Sequence, residues 1–235
     1  MDIVLVPGMW LDASSWEEVG AALQNAGHRV HPLTLPGLES READRSQIGL
    51  RDHVAAVVEA IDAAGAGQNK VLLVGHSAGA GIAYAAVDAR PDGVERAVYV
   101  GGFPTGDGDP LVDGFTAEHG EIPLPPWSDF EPAEVEGLDE AARERFRRRA
   151  IPFPERVVRD PQELVDERRY EVPVTMVCTE FTGDRLRRWV EAGEQPVREL
   201  ARIRSVEYVD LPTGHWPQFS RPADLAEVIA RTAAG

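Results

Sequence analysis

A chain of 235 residues, 43% of them hydrophobic, is long enough to bury one sizeable core, and single α/β domains reach this length. Its formal net charge of −16 argues against nucleic acid and anionic membrane surfaces as partners, because both attract positive charge. Cys178 is the single cysteine, so no disulfide can form within the chain, and its apolar surroundings mark it as a buried core thiol.

In chain order, Ile3-Val4-Leu5-Val6 sets a strand over 2–6 that breaks at Pro7-Gly8-Met9-Trp10. A structural strand so early leaves no place for a signal peptide, and no apolar run is long enough to span a bilayer, so the expected location is cytoplasmic. A helical pattern follows near 14–26, with Ser14 or Ser15 as the expected cap of a helix from Trp16. Then come a strand at 28–33, flanked by His28 and His31, and a helix at 48–64 carrying His53 on one face.

The strand at 70–75 contains the apolar run Val71-Leu72-Leu73-Val74, as a strand buried on both faces should. It runs into Gly75-His76-Ser77-Ala78-Gly79 and a small-residue helix at 78–89. Strand, G-x-S-x-G turn and helix together describe a nucleophile elbow, which forces the serine into a strained conformation with its hydroxyl exposed. Side chains at 75 or 79 would collide where strand and helix approach closely. On this reading Ser77 is the nucleophile, and the Ala78 amide with the Met9 amide, from the loop after the first strand, forms an oxyanion hole.

A strand at 95–101 leads to Gly101-Gly102, but Pro104 prevents the helix a dinucleotide site requires. Between 104 and 170 the alternation fails. This stretch holds Pro123-Leu124-Pro125-Pro126-Trp127, a helix-like acidic stretch from Glu131, and arginines 143, 145, 147, 148 and 149, which read as a solvated face paired with Asp139, Glu140 and Glu144. An insertion here is expected to cap the nucleophile, giving a core of 1–103 and 171–235 and a lid of 104–170 within one domain. Met9, Trp10, Trp127, Phe130 and Trp216 are candidate pocket walls.

The strand at 172–179 precedes a helical pattern at 185–202, and the strand at 205–211 runs through Pro212-Thr213-Gly214 into His215, ahead of a helix at 222–233. Of six histidines, only His215 lies on a strand-end loop far downstream of the serine, the place for a general base. His119 sits in a polar loop. The alternation predicts an α/β fold: a mostly parallel sheet of about six strands with helices on both faces. No zinc motif occurs, so neither metal nor other cofactor is expected.

Residues Val6 through Trp16, Ala26-Gly27-His28-Arg29-Val30, Gly75-His76-Ser77-Ala78-Gly79 and Thr213-Gly214-His215 resemble the α/β-hydrolase superfamily, nearest to the branch of plant methylesterases of the salicylate-binding type and hydroxynitrile lyases. The first strand's position implies that two N-terminal strands of larger members are missing. Pro7 replaces the histidine usual before the loop glycine. Trp216 stands where the cyanohydrin-cleaving members carry lysine, which favours ester hydrolysis.

The resemblance also sets Phe181 where the catalytic aspartate normally stands, a side chain that cannot orient an imidazole. Glu180, one residue earlier, is the first candidate acid; Asp184 is the alternative, read otherwise as the cap of a helix from Arg185. Asp107 or Asp109, after the preceding strand, is a further option, and a site without an acid is the last. The implied activity is serine-dependent hydrolysis of a small, largely uncharged ester, lactone or related acyl compound through an acyl-enzyme. A non-catalytic small-molecule-binding protein, and a lyase or cyclase acting on a natural product, are the alternatives.

Overall fold

The computed structural model describes residues 1–65 and 69–234. Strand β1 (Asp2–Val6) is followed by a 3₁₀ turn, helix α1 (Glu17–Asn25), β2 (Arg29–Pro32), α2 (Leu50–Ala64), β3 (Val71–His76), α3 (Ala78–Ala89) and β4 (Val94–Val100). The stretch after β4 holds β5 (Glu121–Ile122), α4 (Glu140–Arg149), β6 (Phe153–Pro154) and α5 (Glu155–Arg159), with β5 and β6 forming a small antiparallel pair. The chain ends with β7 (Val174–Cys178), α6 (Gly183–Ala192), β8 (Val206–Asp210), α7 (Pro217–Ser220) and α8 (Pro222–Ala234). Six strands make one parallel sheet in the order β2-β1-β3-β4-β7-β8.

Strand side chains alternate between faces, and that period divides the core in two. Ile3, Leu5, Leu72, Val74, Val98, Val100 and Val177 point to one face, where Trp16, Val19 and Leu23 pack with Leu225 and Ile229 of α8. Val4, Val6, Leu73, Ala97, Tyr99 and Met176 point to the other, under α2, α3 and the residues between β4 and β7. β1, β3 and β7 are buried throughout and β4 is buried except at Glu95 and Arg96, whereas β2 and β8, at the sheet edges, are half-exposed.

Four local expectations are corrected, and a fifth holds only in part. Neither Ser14 nor Ser15 caps the first helix: Asp12 caps the 3₁₀ turn Ala13–Trp16 by accepting the Ser14 N–H at 2.9 Å, and Ser15 donates to the Asp12 carbonyl at 2.7 Å. The helix-like stretch from Glu131 is a run of turns, interrupted by Gly137 at φ 79°, and α4 begins only at Glu140 behind its cap Asp139. The pattern at 185–202 is broken: α6 ends where Gly193 turns left-handed at φ 71°, and two 3₁₀ turns follow. Asp184 lies in the first turn of α6, whose cap is Thr182. In α4 the arginine cluster is paired only in part as expected, with Arg148 and Glu144 at 3.1 Å.

Candidate active site

Loops leaving the C-terminal ends of β1, β3, β7 and β8 meet above the sheet, where ligand sites of open α/β sheets form. Ser77 sits between β3 and α3 at φ 55° and ψ −128°, a backbone conformation that costs a non-glycine residue about 1–3 kcal/mol. It persists because its surroundings fix it: the Ser77 N–H donates to the Val100 carbonyl at 2.9 Å, and the Ser77 carbonyl accepts from Ala80 at 2.9 Å. A Cβ at Gly75 would lie 2.5 Å from the Gly79 carbonyl oxygen, and one at Gly79 would lie 2.5 Å from the Pro7 carbonyl oxygen. The second collision is with the loop after β1, not with β3.

His215, on the loop after β8, has its Nε2 2.8 Å from the Ser77 Oγ and its Nδ1 2.5 Å from Glu180 Oε1. The second carboxylate oxygen of Glu180 accepts from the Thr179 hydroxyl. Burial pushes the Glu180 carboxyl up, but the hydrogen bond and charge of His215, helped by Thr179, hold it net below the ordinary carboxylate range. Nearby, the Glu134 and Glu136 carbonyls accept from the His215 and Gly214 N–H groups at 2.7 and 3.2 Å.

None of the other acidic candidates contacts the His215 ring. Asp184 is exposed and pairs with Arg187 at 2.7 Å, Asp107 accepts the Leu164 N–H at 2.9 Å, and Asp109 lies 3.6 Å from Arg198. Phe181 turns away from His215 into an apolar stack with Phe103 and Trp189, at centroid distances of 5.5 and 5.3 Å.

Beside the serine, His76 is fully buried. Its Nε2 donates to the His215 carbonyl at 2.7 Å, and its Nδ1 accepts from the Gln218 amide at 3.1 Å. Burial lowers the His76 pKa to about 3, so the ring is neutral, as this pair of contacts requires. The sequence placed His76 only by its neighbour; its partner Gln218 carried no local signal.

A cleft of about 510 Å³ opens over Ser77 and His215. Met9, Trp10, Phe130 and Trp216 line it, as do Phe103, Leu111, Phe115 and Pro196, which the sequence did not single out. Trp127 stands behind this wall, edge-on to Trp216 at 5.7 Å. Trp10 adopts φ 66° and is fixed from the far side: its indole N–H donates to the Ile122 carbonyl at 2.9 Å, and its carbonyl accepts the Ile151 N–H at 3.0 Å. The Ala78 N–H begins α3, where helical donors have no intrahelical acceptor. No described backbone carbonyl accepts from the Met9 N–H. Among the described residues no group of three or more His, Cys, Asp or Glu side chains is placed to hold a metal ion.

This fold and this elbow are those of the alpha/beta hydrolase family, to which the chain belongs: the family profile matches residues 3–228. Among curated relatives, the chain is 26% identical to a carbendazim-hydrolyzing esterase of Nocardioides sp. (strain SG-4G), covering 97% of this chain and 98% of that one. It is 25% identical to methylesterase 7 of Arabidopsis thaliana, covering 98% and 95% respectively. Among solved structures, it is similar to an extracellular alpha/beta-hydrolase from a Paenibacillus species, with TM-score 0.77, 19% identity and 98% of each chain covered. No helix of the described residues is long and apolar enough to cross a membrane.

Proposed function

We propose that this chain is a serine hydrolase that cleaves a small, largely uncharged ester, lactone or related acyl compound. The observation that carries the reading is the unbroken series of contacts from Ser77 Oγ to His215 Nε2, and from His215 Nδ1 to Glu180. In this reading His215 takes the serine proton as Ser77 attacks the carbonyl carbon, and Glu180 holds the ring with Nδ1–H toward itself and Nε2 toward the serine. The Met9 and Ala78 amides face the oxyanion. The proton passes to the departing alcohol; water, deprotonated by the same ring, then opens the acyl-enzyme. Residues 104–170 act as the lid over the acyl pocket, with Trp127 buttressing its wall.

The names of the curated relatives, an esterase and a methylesterase, agree with this chemistry. The binding-protein alternative drew on Phe181, and the Glu180 contact counts against it. Ser77→Ala is expected to abolish turnover of p-nitrophenyl acetate and labelling by a fluorophosphonate probe, with the thermal melt nearly unchanged. Nucleophile loss costs several orders of magnitude. Retention of more than about a tenth of the activity would sink the serine mechanism.

A further inference from the structure

The charged residues lining the cleft, the base His215 aside, are all acidic: Asp109, Asp113 and Glu134. Neither lysine nor arginine contributes to the wall. Two of these carboxylates have counter-charges behind them, with Asp113 2.9 Å from Arg159 and Asp109 3.6 Å from Arg198. Glu134 is different. Its carboxylate accepts the Glu131 N–H at 2.7 Å, and no ion pair among the described residues neutralises it. Its own carbonyl accepts the His215 N–H at 2.7 Å, so this residue both lines the cleft and touches the base. Glu180, on the far side of the imidazole, adds a second negative charge to the same neighbourhood.

We infer that this cleft sorts molecules by charge: it takes esters whose two halves are neutral or cationic, rejects anionic ones, and expels the carboxylate that hydrolysis generates, with Glu134 as the residue that sets the preference. The inference rests on the serine hydrolase reading. The chemistry makes charge matter at every turnover. Ser77 Oγ bonds to the acyl carbon as the bond to the alcohol breaks, and the alcohol leaves with the proton His215 took from Ser77; water then adds its hydroxyl to the acyl carbon and gives its other proton to His215, which returns it to Ser77 Oγ as the acyl–Oγ bond breaks. The resulting acid ionises at neutral pH, so a neutral acyl group is replaced by an anion among carboxylates. Charges about 8 Å apart near a protein surface, where the effective dielectric constant is about 20, change affinity by roughly tenfold or more. A protein built to retain carboxylates would instead place a cation in that wall.

Three methyl benzoates of nearly identical shape test this: the para-carbamoyl ester is neutral, the para-amidino ester cationic and the para-carboxyl ester anionic. Each kcat/KM is divided by the ester's own alkaline hydrolysis rate to remove intrinsic reactivity. The neutral and cationic esters are expected to exceed the anionic one by about tenfold. That gap should narrow in Glu134→Gln, which keeps an acceptor for the Glu131 N–H, and in about 1 M salt, where the screening length falls to about 3 Å. An anionic ester that matches the neutral one, or a gap unmoved by Glu134→Gln, overturns the assignment. Binding of the same three compounds to Ser77→Ala, followed by tryptophan fluorescence, separates the two readings. If the wild-type protein cleaves none of them, the hydrolase reading fails; the binding order then decides charge selection, and a carboxylate bound as tightly as the neutral ester rejects it.

Discussion

Glu180, two residues beyond the end of β7, meets the imidazole of His215 with one carboxylate oxygen. Thr179 then occupies its second oxygen, so both oxygens of the carboxylate are engaged. Phe181, the next residue, packs instead against Phe103 and Trp189. If Glu180 sets the tautomer of His215, Glu180→Gln should lower kcat by a factor of up to about 10⁴. Asp184→Asn removes only a surface pair with Arg187, a contact worth about 1 kcal/mol or less, and should leave kcat within about threefold. Steady-state kinetics on the two variants side by side check this, and the opposite ranking would reassign the acid.

At the scale of elements, the segment between β4 and β7 is tied to the core by a buried charge on α3. Asp88 accepts the Val165 and Asp166 N–H groups and pairs with Arg169 at 3.0 Å, and both side chains are 4% exposed. Asp88→Ala leaves Arg169 buried with one partner fewer, and urea unfolding should report a loss of about 3–5 kcal/mol. A second change, Arg169→Met, should recover part of it; a loss from Asp88→Ala below about 1 kcal/mol would show that solvent reaches the arginine. Nothing in the local pattern announces this tie, because its partners are distant in the chain and each looks like an ordinary surface charge. The sheet was legible for the opposite reason: Val71-Leu72-Leu73-Val74 carries its burial in its own composition. The approach of His215 to Ser77 followed from chain order and loop placement. The choice among Glu180, Asp184 and the earlier loop did not, since it depends on the path of a few backbone atoms after β7. Helix ends were missed where a single residue, Asp12 or Gly193, overruled the surrounding pattern.

For the whole molecule, two buried histidines couple folding to pH. Burial lowers His53 to about 4 and His76 to about 3, while in the unfolded chain both titrate near the ordinary value of about 6.5. Above that value neither form binds the proton and stability is unaffected. Below it the unfolded chain gains protons that the native state refuses, so stability falls as pH drops, by up to about 1.4 kcal/mol per unit for each histidine. Asp2, held far below the carboxylate range mainly by its hydrogen bond to Arg29, contributes its loss only at lower pH, below about 5. His53→Gln should therefore roughly halve the slope of unfolding free energy against pH between about 5 and 6.5. An unchanged slope would mean that His53 is protonated in the native state. The hydrogen bonds from Gly214 and His215 to the carbonyls of Glu136 and Glu134 have a different consequence. They join the backbone beside His215 directly to the segment between β4 and β7. On the proposed reading, in which 104–170 is the lid and His215 the base, a shift of the one at Glu134 and Glu136 would carry the other with it.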